Sequence, residues 1–259
     1  MKGSSIAAVI CAAGSSSRMG GIKKEYRLLD SSLSVLGSAV CAFAAVPAVR
    51  SIVIAIPPGD EAAARRALPP WVFSEDASWG VGVEKAGFAK PGFEKPSVFF
   101  VPGGKTRRDS VHMALFFLAG KNPDYVLIHD GARPWVSVDL IERCIEAVQK
   151  YGAVVPAVAF TDTPKEFSAK LWERGGDEGE SAVFVKSHLR RASTGAAQTP
   201  QAFRFPEILH AHEKAAALEI NFQTDFTDDA EIWGKFCGAV AVIPGEVKNR
   251  KITFPADLA

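Results

Sequence analysis

Three segments rich in small residues, each directly after a short apolar run, hold the side chains most able to do chemistry. The first is Ala12-Ala13-Gly14-Ser15-Ser16-Ser17-Arg18-Met19-Gly20, followed closely by Lys23-Lys24-Glu25-Tyr26. Small residues let backbone N–H groups close around phosphate oxygens, and Arg18 and Lys24 add positive charge. The second is Gly103-Gly104-Lys105-Thr106-Arg107-Arg108-Asp109-Ser110. Its paired glycines allow close backbone approach to a flat ligand such as a base, with Arg107 and Ser110 in reach from the first turn of the next helix. The third is His129-Asp130-Gly131-Ala132-Arg133-Pro134. An Asp at the carboxyl end of a strand suits a ribose hydroxyl or a divalent cation, whereas His129 reads as an oriented structural histidine.

Each segment also has an ordinary explanation: a Gly/Ser-rich surface turn, a turn with a helix N-cap, and an Asx-turn with an Arg salt bridge. Likewise Thr227-Asp228-Asp229-Ala230 fits a helix N-cap, and Gln198-Thr199-Pro200-Gln201 fits a turn. Lys248-Asn249-Arg250-Lys251 and Arg190-Arg191 fit solvated basic faces. The first loop lacks the GK[ST] ending of a Walker A loop and is not GxGxxG. No GxSxG elbow, HExxH pair, EF-hand loop or kinase signature set occurs. Small residues beside cations are common to the strand-end loops, which suits phosphates better than acyl or hydride chemistry.

The elements that must position these loops alternate between strand and helix. Ile6–Cys11 is apolar at every position, as in a strand buried on both faces of a parallel sheet. Further strands are predicted over Ile52–Ile56, Val98–Val101, Tyr125–Ile128, Ala153–Ala159 and Ala239–Ile243, with Lys251–Phe254 as one more short segment. Helices are predicted over Ser34–Ala45, Asp60–Leu68, Thr106–Leu118, Val138–Lys150, Pro206–Leu218 and Asp228–Phe236. The alternation points to an α/β fold with a mostly parallel sheet and helices on both faces, and ligands in such a fold bind beyond the carboxyl ends of the strands. Pro69–Pro96 is long for a connection and reads as an insertion. Thr161–Arg191, with polar turn residues around Gly175–Glu180, reads as a hairpin arm reaching a second subunit.

Composition narrows the classes. Over 259 residues, 30 Lys+Arg nearly cancel 29 Asp+Glu, for a net charge of +1. That balance gives no global case for nucleic acid or an anionic membrane, and leaves room for a local cationic pocket. The 47% hydrophobic content supports a sizeable core. Cys11, Cys41, Cys144 and Cys237 lie far apart in apolar stretches, without a CxxC pair. Buried free thiols, no zinc site and a soluble cytoplasmic protein are the expectation. The apolar run near the N-terminus is too short for a membrane span and lacks a signal-peptide layout.

Taken in order, AAGSSSRMG…KKEY, GGKTRRDSV, LIHDGARP, TDTPK, AQTPQAF, TDDA and KNRKITFPADL resemble the 2-C-methyl-D-erythritol 4-phosphate cytidylyltransferases, the IspD family. The resemblance runs from residue 6 to residue 258. It implies a single Rossmann-like nucleotidyltransferase domain over 1–259, with a dimerisation arm at 161–191 and an insertion at 69–96. The implied reaction is transfer of CMP from CTP to methylerythritol 4-phosphate, with Mg²⁺ and release of pyrophosphate. Carried over by position, Arg18, Lys24 and Lys251 are the catalytic cations. Ala12, Ala13, Gly14, Gly103, Arg107, Ser110 and Asp130 hold the nucleotide, and Asp130 also serves the metal. Asp130, Arg133 and Thr227 contact the sugar-alcohol phosphate, and Thr163 and Arg191 reach it from the arm of the other protomer in a homodimer. The chain departs from the family pattern at Ser16, where Gly is usual, at Glu25, where KQY is usual, and at Gly131, where HDAARP is usual. Ribitol-5-phosphate cytidylyltransferases share the architecture, and a sugar-1-phosphate nucleotidyltransferase or a non-catalytic nucleotide-binding regulator stands as a further alternative. Some relatives carry a fused cyclodiphosphate synthase; a chain ending at Ala259 is expected to lack one.

Overall fold

The computed structural model describes residues 4–16, 19, 23–30, 32–73, 94–168, 183–222 and 226–258. The first half alternates as expected: β1 (Ile6–Cys11), α1 (Val35–Ala44), β2 (Val49–Ile56), α2 (Glu61–Ala67), β3 (Ser97–Pro102), α3 (Arg107–Ala119), β4 (Tyr125–Asp130), α4 (Val138–Tyr151) and β5 (Ala153–Ala159). There follow β6 (Lys165–Phe167), β7 (Val185–His188), β8 (Gly195–Ala197), β9 (Gln201–Arg204), α5 (Glu207–Phe222), α6 (Asp229–Phe236) and β10 (Ala241–Pro244). The main sheet runs β10-β5-β9-β4-β1-β2-β3, with β8 on β5. Pairings among β1, β2, β3 and β4 are parallel, as is β5 with β10; β9 lies antiparallel between β4 and β5.

The uniform hydrophobicity of β1 has a simple use. Ile6, Ala8 and Ile10 face one core with Leu36, Val40 and Phe43 of α1 and Leu140, Ile141 and Val148 of α4. Ala7 and Val9 face a second core with Val111, Leu115 and Leu118 of α3 and Ile208 of α5. Each side of the strand therefore removes apolar surface from water, which is the main force holding the sheet between its helices. Local chemistry starts the helices: Ser34 caps α1 by accepting from the Gly37 N–H, and Ser137 caps α4 by accepting from the Leu140 N–H.

The register brings the strand ends level. Cys11 of β1 stands opposite Ala55 of β2 and Asp130 of β4, and Ala55 stands opposite Val101 of β3. The three small-residue loops therefore emerge at one edge of the sheet. Gly103 follows β3 directly, its N–H donating to the Ile56 carbonyl at 2.7 Å.

Several expectations change. The segment read as a turn around Gln198–Gln201 instead joins β8 to β9, and β9 lies inside the main sheet. Four residues beginning with Gln give no periodic signal; tertiary pairing and the full burial of Phe203 make them a strand. Lys251–Phe254 forms no strand, and a short 3₁₀ turn follows at Pro255–Leu258. Cys237 is exposed and Cys11 half-buried, rather than both buried, and all four thiols are free. β6 and β7 pair antiparallel in a separate two-stranded sheet, with Lys165 opposite His188. The turn expected around residues 175–180 and most of the 69–96 insertion lie outside the described residues. No helix among the described residues is long and apolar enough to cross a membrane.

The close approach at Gly103 is testable. A Cβ there would stand 2.2 Å from the Ala13 Cβ and 2.9 Å from the Ser110 Oγ. At Gly131 the tightest contact would be 3.0 Å, to the Cys11 carbonyl. Gly103→Ala is expected to cost about 1–3 kcal/mol, as overpacking does, and Gly131→Ala less. Urea unfolding of the two variants side by side checks the order, and equal losses would contradict the geometry.

Candidate active site

At the carboxyl edge of the sheet lies a cavity of about 380 Å³. Cys11, Ala13, Gly14, Ser15 and Ser16 form one side, Gly104, Lys105, Thr106, Arg107 and Ser110 another, and Asp130, Ala132, Lys251 and Thr253 the floor, with Lys24 and Glu25 closing the rim. Among these described residues Lys24, Lys105, Arg107 and Lys251 outweigh Glu25 and Asp130, so the lining favours an anion.

The second loop is fixed by its own helix. Thr106 caps α3 in a reciprocal box: its Oγ1 accepts from the Asp109 N–H at 3.0 Å, and its N–H donates to Asp109 Oδ2 at 3.1 Å. Ser110 Oγ donates to the Thr106 carbonyl and accepts from the Gly104 N–H at 3.1 Å, pulling the paired glycines onto the helix. The turn-and-cap explanation and the cavity wall are thus one arrangement.

Asp130, at the end of β4, is the electrostatic centre. Its Oδ1 lies 3.1 Å from Arg107 Nε, and its Oδ2 lies 2.9 Å from Lys251 Nζ and 3.5 Å from Arg133 Nε. Burial alone would raise its pKa, but Arg107, then Lys251 and Arg133, hold the carboxyl well below the usual carboxylate range. Arg107 also binds Asp229 Oδ2 through Nη1 at 2.8 Å. Burial would lower its pKa, yet Asp229 and Asp130 together raise it well above the usual value. Arg107, expected to reach for a base, is therefore held between two carboxylates.

Lys251 depends on contacts far away in sequence. Gln198 donates to the Glu246 carbonyl at 2.8 Å and accepts from the Glu246 N–H at 3.0 Å. The buried Asn249 donates to the Thr199 carbonyl at 2.8 Å, and the Ile252 N–H donates to the Ala132 carbonyl. These bonds hold the basic run against the sheet edge. Gln198 and Asn249 were missed as site-building residues; their sequence signal is their place in the AQTPQAF and KNRKITFPADL segments.

His129 is fully buried against Phe43. Its Nε2 stands 3.1 Å from the Arg133 carbonyl and its Nδ1 3.0 Å from Thr199 Oγ1, so a neutral ring with the proton on Nε2 satisfies both. Burial pushes its pKa down to about 4, which fits a structural role and not a charged one.

The matching family model is that of 2-C-methyl-D-erythritol 4-phosphate cytidylyltransferase, over residues 6–259. The chain belongs to this family. A bifunctional enzyme IspD/IspF of Brucella abortus is 36% identical over 237 residues, covering 91% of this chain and 50% of that protein. The corresponding enzyme of Brucella anthropi is 37% identical over 258 residues, covering 98% and 54%. The chain thus spans about half the length of these curated relatives. Among solved structures, the 4-diphosphocytidyl-2C-methyl-D-erythritol synthase of Anaerococcus prevotii superposes with a TM-score of 0.72 at 25% identity, covering 99% of this chain and 93% of that one. The 2-C-methyl-D-erythritol 4-phosphate cytidylyltransferase of Francisella tularensis gives 0.70 at 25% identity, covering 98% and 97%. These neighbours match the mostly parallel α/β sheet flanked by helices.

The expected cytidylyltransferase residues fall into two groups. Ala13, Gly14, Lys24, Arg107, Ser110, Asp130 and Lys251 line the cavity. Ala12 and Gly103 sit just behind it; the Ala12 N–H donates to the Ala55 carbonyl at 2.8 Å. Arg18 lies outside the described residues. Arg133 does not line the cavity, because its guanidinium is divided between Asp130 and the Asn249 carbonyl, 2.8 Å from Nη1. Thr227 donates through N and Oγ1 to Glu231 Oε2 at 2.8 and 2.7 Å, and Asp228, one residue later, is the N-cap of α6. Thr163 and Arg191 are exposed, and Arg191 Nη1 donates to the Thr161 carbonyl at 2.8 Å.

The three departures from the family pattern acquire physical reasons. Ser16 has φ +52°, a conformation natural to Gly. Its buried Oγ lies 3.3 Å from Glu25 Oε2 and accepts from the Lys24 N–H at 3.4 Å, so two of the departures touch each other. Gly131 lacks a Cβ that would meet its neighbours at 3.0–3.4 Å, a fit that a small local shift could relieve.

For the implied Mg²⁺, Asp130 is the carboxylate at the cavity floor, and both its oxygens already face cations, so it offers little to a resident ion.

The low pKa of His129 sets a pH dependence. The unfolded imidazole takes a proton near 6.5, whereas the folded one resists until about pH 4. The stabilisation is complete above pH 6.5 and is lost as pH falls toward 4, with a total on the order of 3 kcal/mol. Urea melts between pH 7 and 4.5 should fall more steeply for the native chain than for His129→Gln. Parallel curves would mean that His129 is charged in the fold.

Proposed function

We propose that this chain transfers CMP from CTP to 2-C-methyl-D-erythritol 4-phosphate, giving 4-diphosphocytidyl-2-C-methyl-D-erythritol and pyrophosphate. The observation carrying this reading is the Lys251 ammonium held 2.9 Å from Asp130 on the floor of a cavity walled by two small-residue loops and Lys24. Family membership supplies the substrates; the cavity supplies the chemistry.

In the proposed reaction an acceptor phosphate oxygen attacks the α-phosphorus of CTP. A new P–O bond forms, the bond from the α-phosphorus to its bridging oxygen breaks, and that electron pair leaves on pyrophosphate. With a second pKa near 6 the acceptor phosphate is already largely ionised at neutral pH, so no side chain need remove a proton. The barrier lies in aligning two polyanions and spreading charge as they meet, which fixed cations and positioned backbone groups reduce.

Ala13, Gly14 and Ser110 line the cradle for cytosine and ribose, with Ala12 and Gly103 backing it and the α3 cap shaping it. Arg18 and Lys24 hold the triphosphate, and Lys251 stands where the α-phosphate meets the acceptor. Asp130 orients Lys251 and Arg107, and Arg133 anchors the Lys251 segment through Asn249. Thr227 lies on the acceptor side. Thr163 and Arg191 reach the acceptor from the arm of a second copy, so the active unit is a homodimer. Magnesium enters as the counter-ion of CTP and counts as part of that substrate. Four free thiols fit a reducing cytoplasm.

The deciding experiment incubates pure protein with CTP, Mg²⁺ and methylerythritol 4-phosphate or ribitol 5-phosphate, and measures pyrophosphate. Release with the first acceptor is expected; release only with the second would replace the acceptor. Lys24→Ala and Lys251→Ala should each lower kcat by about 10²–10³, the usual loss for one preorganised charge-stabilising donor. Full turnover by either variant would remove that residue from the mechanism. Arg191→Ala should impair use of the acceptor while leaving CTP affinity intact; an unchanged acceptor KM and kcat would contradict the arm's role.

A further inference from the structure

The ionic cluster continues past the cavity into the protein. Arg107 on α3 binds Asp229 at the start of α6, and Asp229 in turn faces His212 on α5, with His212 Nε2 3.2 Å from Asp229 Oδ1. His212 and Asp229 are both fully buried. Neither His212 nitrogen nor Asp229 Oδ1 makes a well-aligned hydrogen bond among the described residues, so what joins the two side chains is the 3.2 Å approach of Nε2 to Oδ1. A buried imidazole without a polar use is costly, and the position offers it one use: meeting Asp229.

We propose that His212 and Asp229 are positioning residues for the cation cluster: His212 fixes Asp229, Asp229 holds Arg107, and Arg107 sets the Asp130 carboxylate that seats Lys251. The inference deepens the proposed reaction and rests on it for its kinetic consequences. The geometry divides the labour. Asp229 Oδ1 faces the imidazole, leaving Oδ2 for Arg107 Nη1 at 2.8 Å. Arg107 then presents Nε to Asp130 Oδ1, leaving Oδ2 for Lys251. Without Asp229 the whole guanidinium is free to fork onto Asp130 and compete with Lys251 for it. Neither His212 nor Asp229 lines the cavity, so their influence on the reaction passes through Arg107.

The test compares His212→Leu, His212→Gln and Asp229→Asn with the native enzyme by steady-state kinetics, thermal unfolding and NMR of the Arg107 Nε–H, assigned by its loss in Arg107→Lys. His212→Leu removes the polar contact, whereas the Gln amide nitrogen can occupy the place of Nε2. His212→Leu and Asp229→Asn are expected to lower kcat by about tenfold to a hundredfold, the scale of a small misplacement, with the KM for CTP within about threefold of native. His212→Gln is expected to recover most of that kcat and to keep the Arg107 resonance, which the Leu variant loses. Equal losses in the Leu and Gln variants, tracking their unfolding temperatures, would overturn the proposal in favour of plain packing. Native kcat in Asp229→Asn would overturn it even if the Leu variant fails to fold. If the native enzyme releases no pyrophosphate, the proposed reaction falls, while the Arg107 resonance still decides whether His212 and Asp229 position it.

Discussion

The site depends on one carboxylate. Asp130 lies at the end of a central strand, with Arg107, Arg133 and Lys251 converging on it. Three cations gathered without it would repel one another in a poorly hydrated edge of the sheet, where charge–charge energies are larger than in water. With Asp130 and Asp229 both ionised, the five groups sum to a single positive charge. The cluster can therefore exist in the empty protein and still attract a phosphate. The ordering of the cluster is completed in folding, before any anion arrives.

The sheet and its loops were legible because local sequence encodes them. A strand apolar on both faces needs a parallel sheet with helices above and below, and Ile6–Cys11 has both. Strand ends brought level by parallel register deliver the following loops to one edge, so reading loops after strands located most of the cavity lining. The rest was not legible because it is made of long-range pairs. Arg107 meets Asp229 across 122 residues, and Gln198 meets Asn249 across 51. No window of sequence contains both members of either pair. β9 was hidden for the same reason, since its four residues become a strand by fitting between β4 and β5.

The same long-range pairing explains why Arg107 and Arg133 were assigned to ligands. An arginine in a small-residue loop fits a phosphate grip equally well from sequence, and only the position of its carboxylates decides. Here Arg107 is occupied by two acids and Arg133 by an acid and a carbonyl. Lys24 and Lys251 line the cavity beside Arg107, and an ammonium on a flexible stem can turn from one anion to another more readily than a guanidinium fixed at several points. Arg107 and Arg133 thus brace the Asp130 carboxylate that Lys251 also meets.

The rim carries a counterweight to this cationic floor. Glu25 is buried beside Lys24, against the Oγ of a serine held in a left-handed conformation. A serine there carries backbone strain of about 1–2 kcal/mol, which its two side-chain contacts partly offset. A Gly at that position would relieve the strain and forfeit both contacts, leaving Glu25 without its hydroxyl partner. The Ser16–Glu25 pairing is thus a local contact between two buried side chains of the rim. It ties the first loop to the turn that presents Lys24, so the position of the rim cation is set by the loop it works beside.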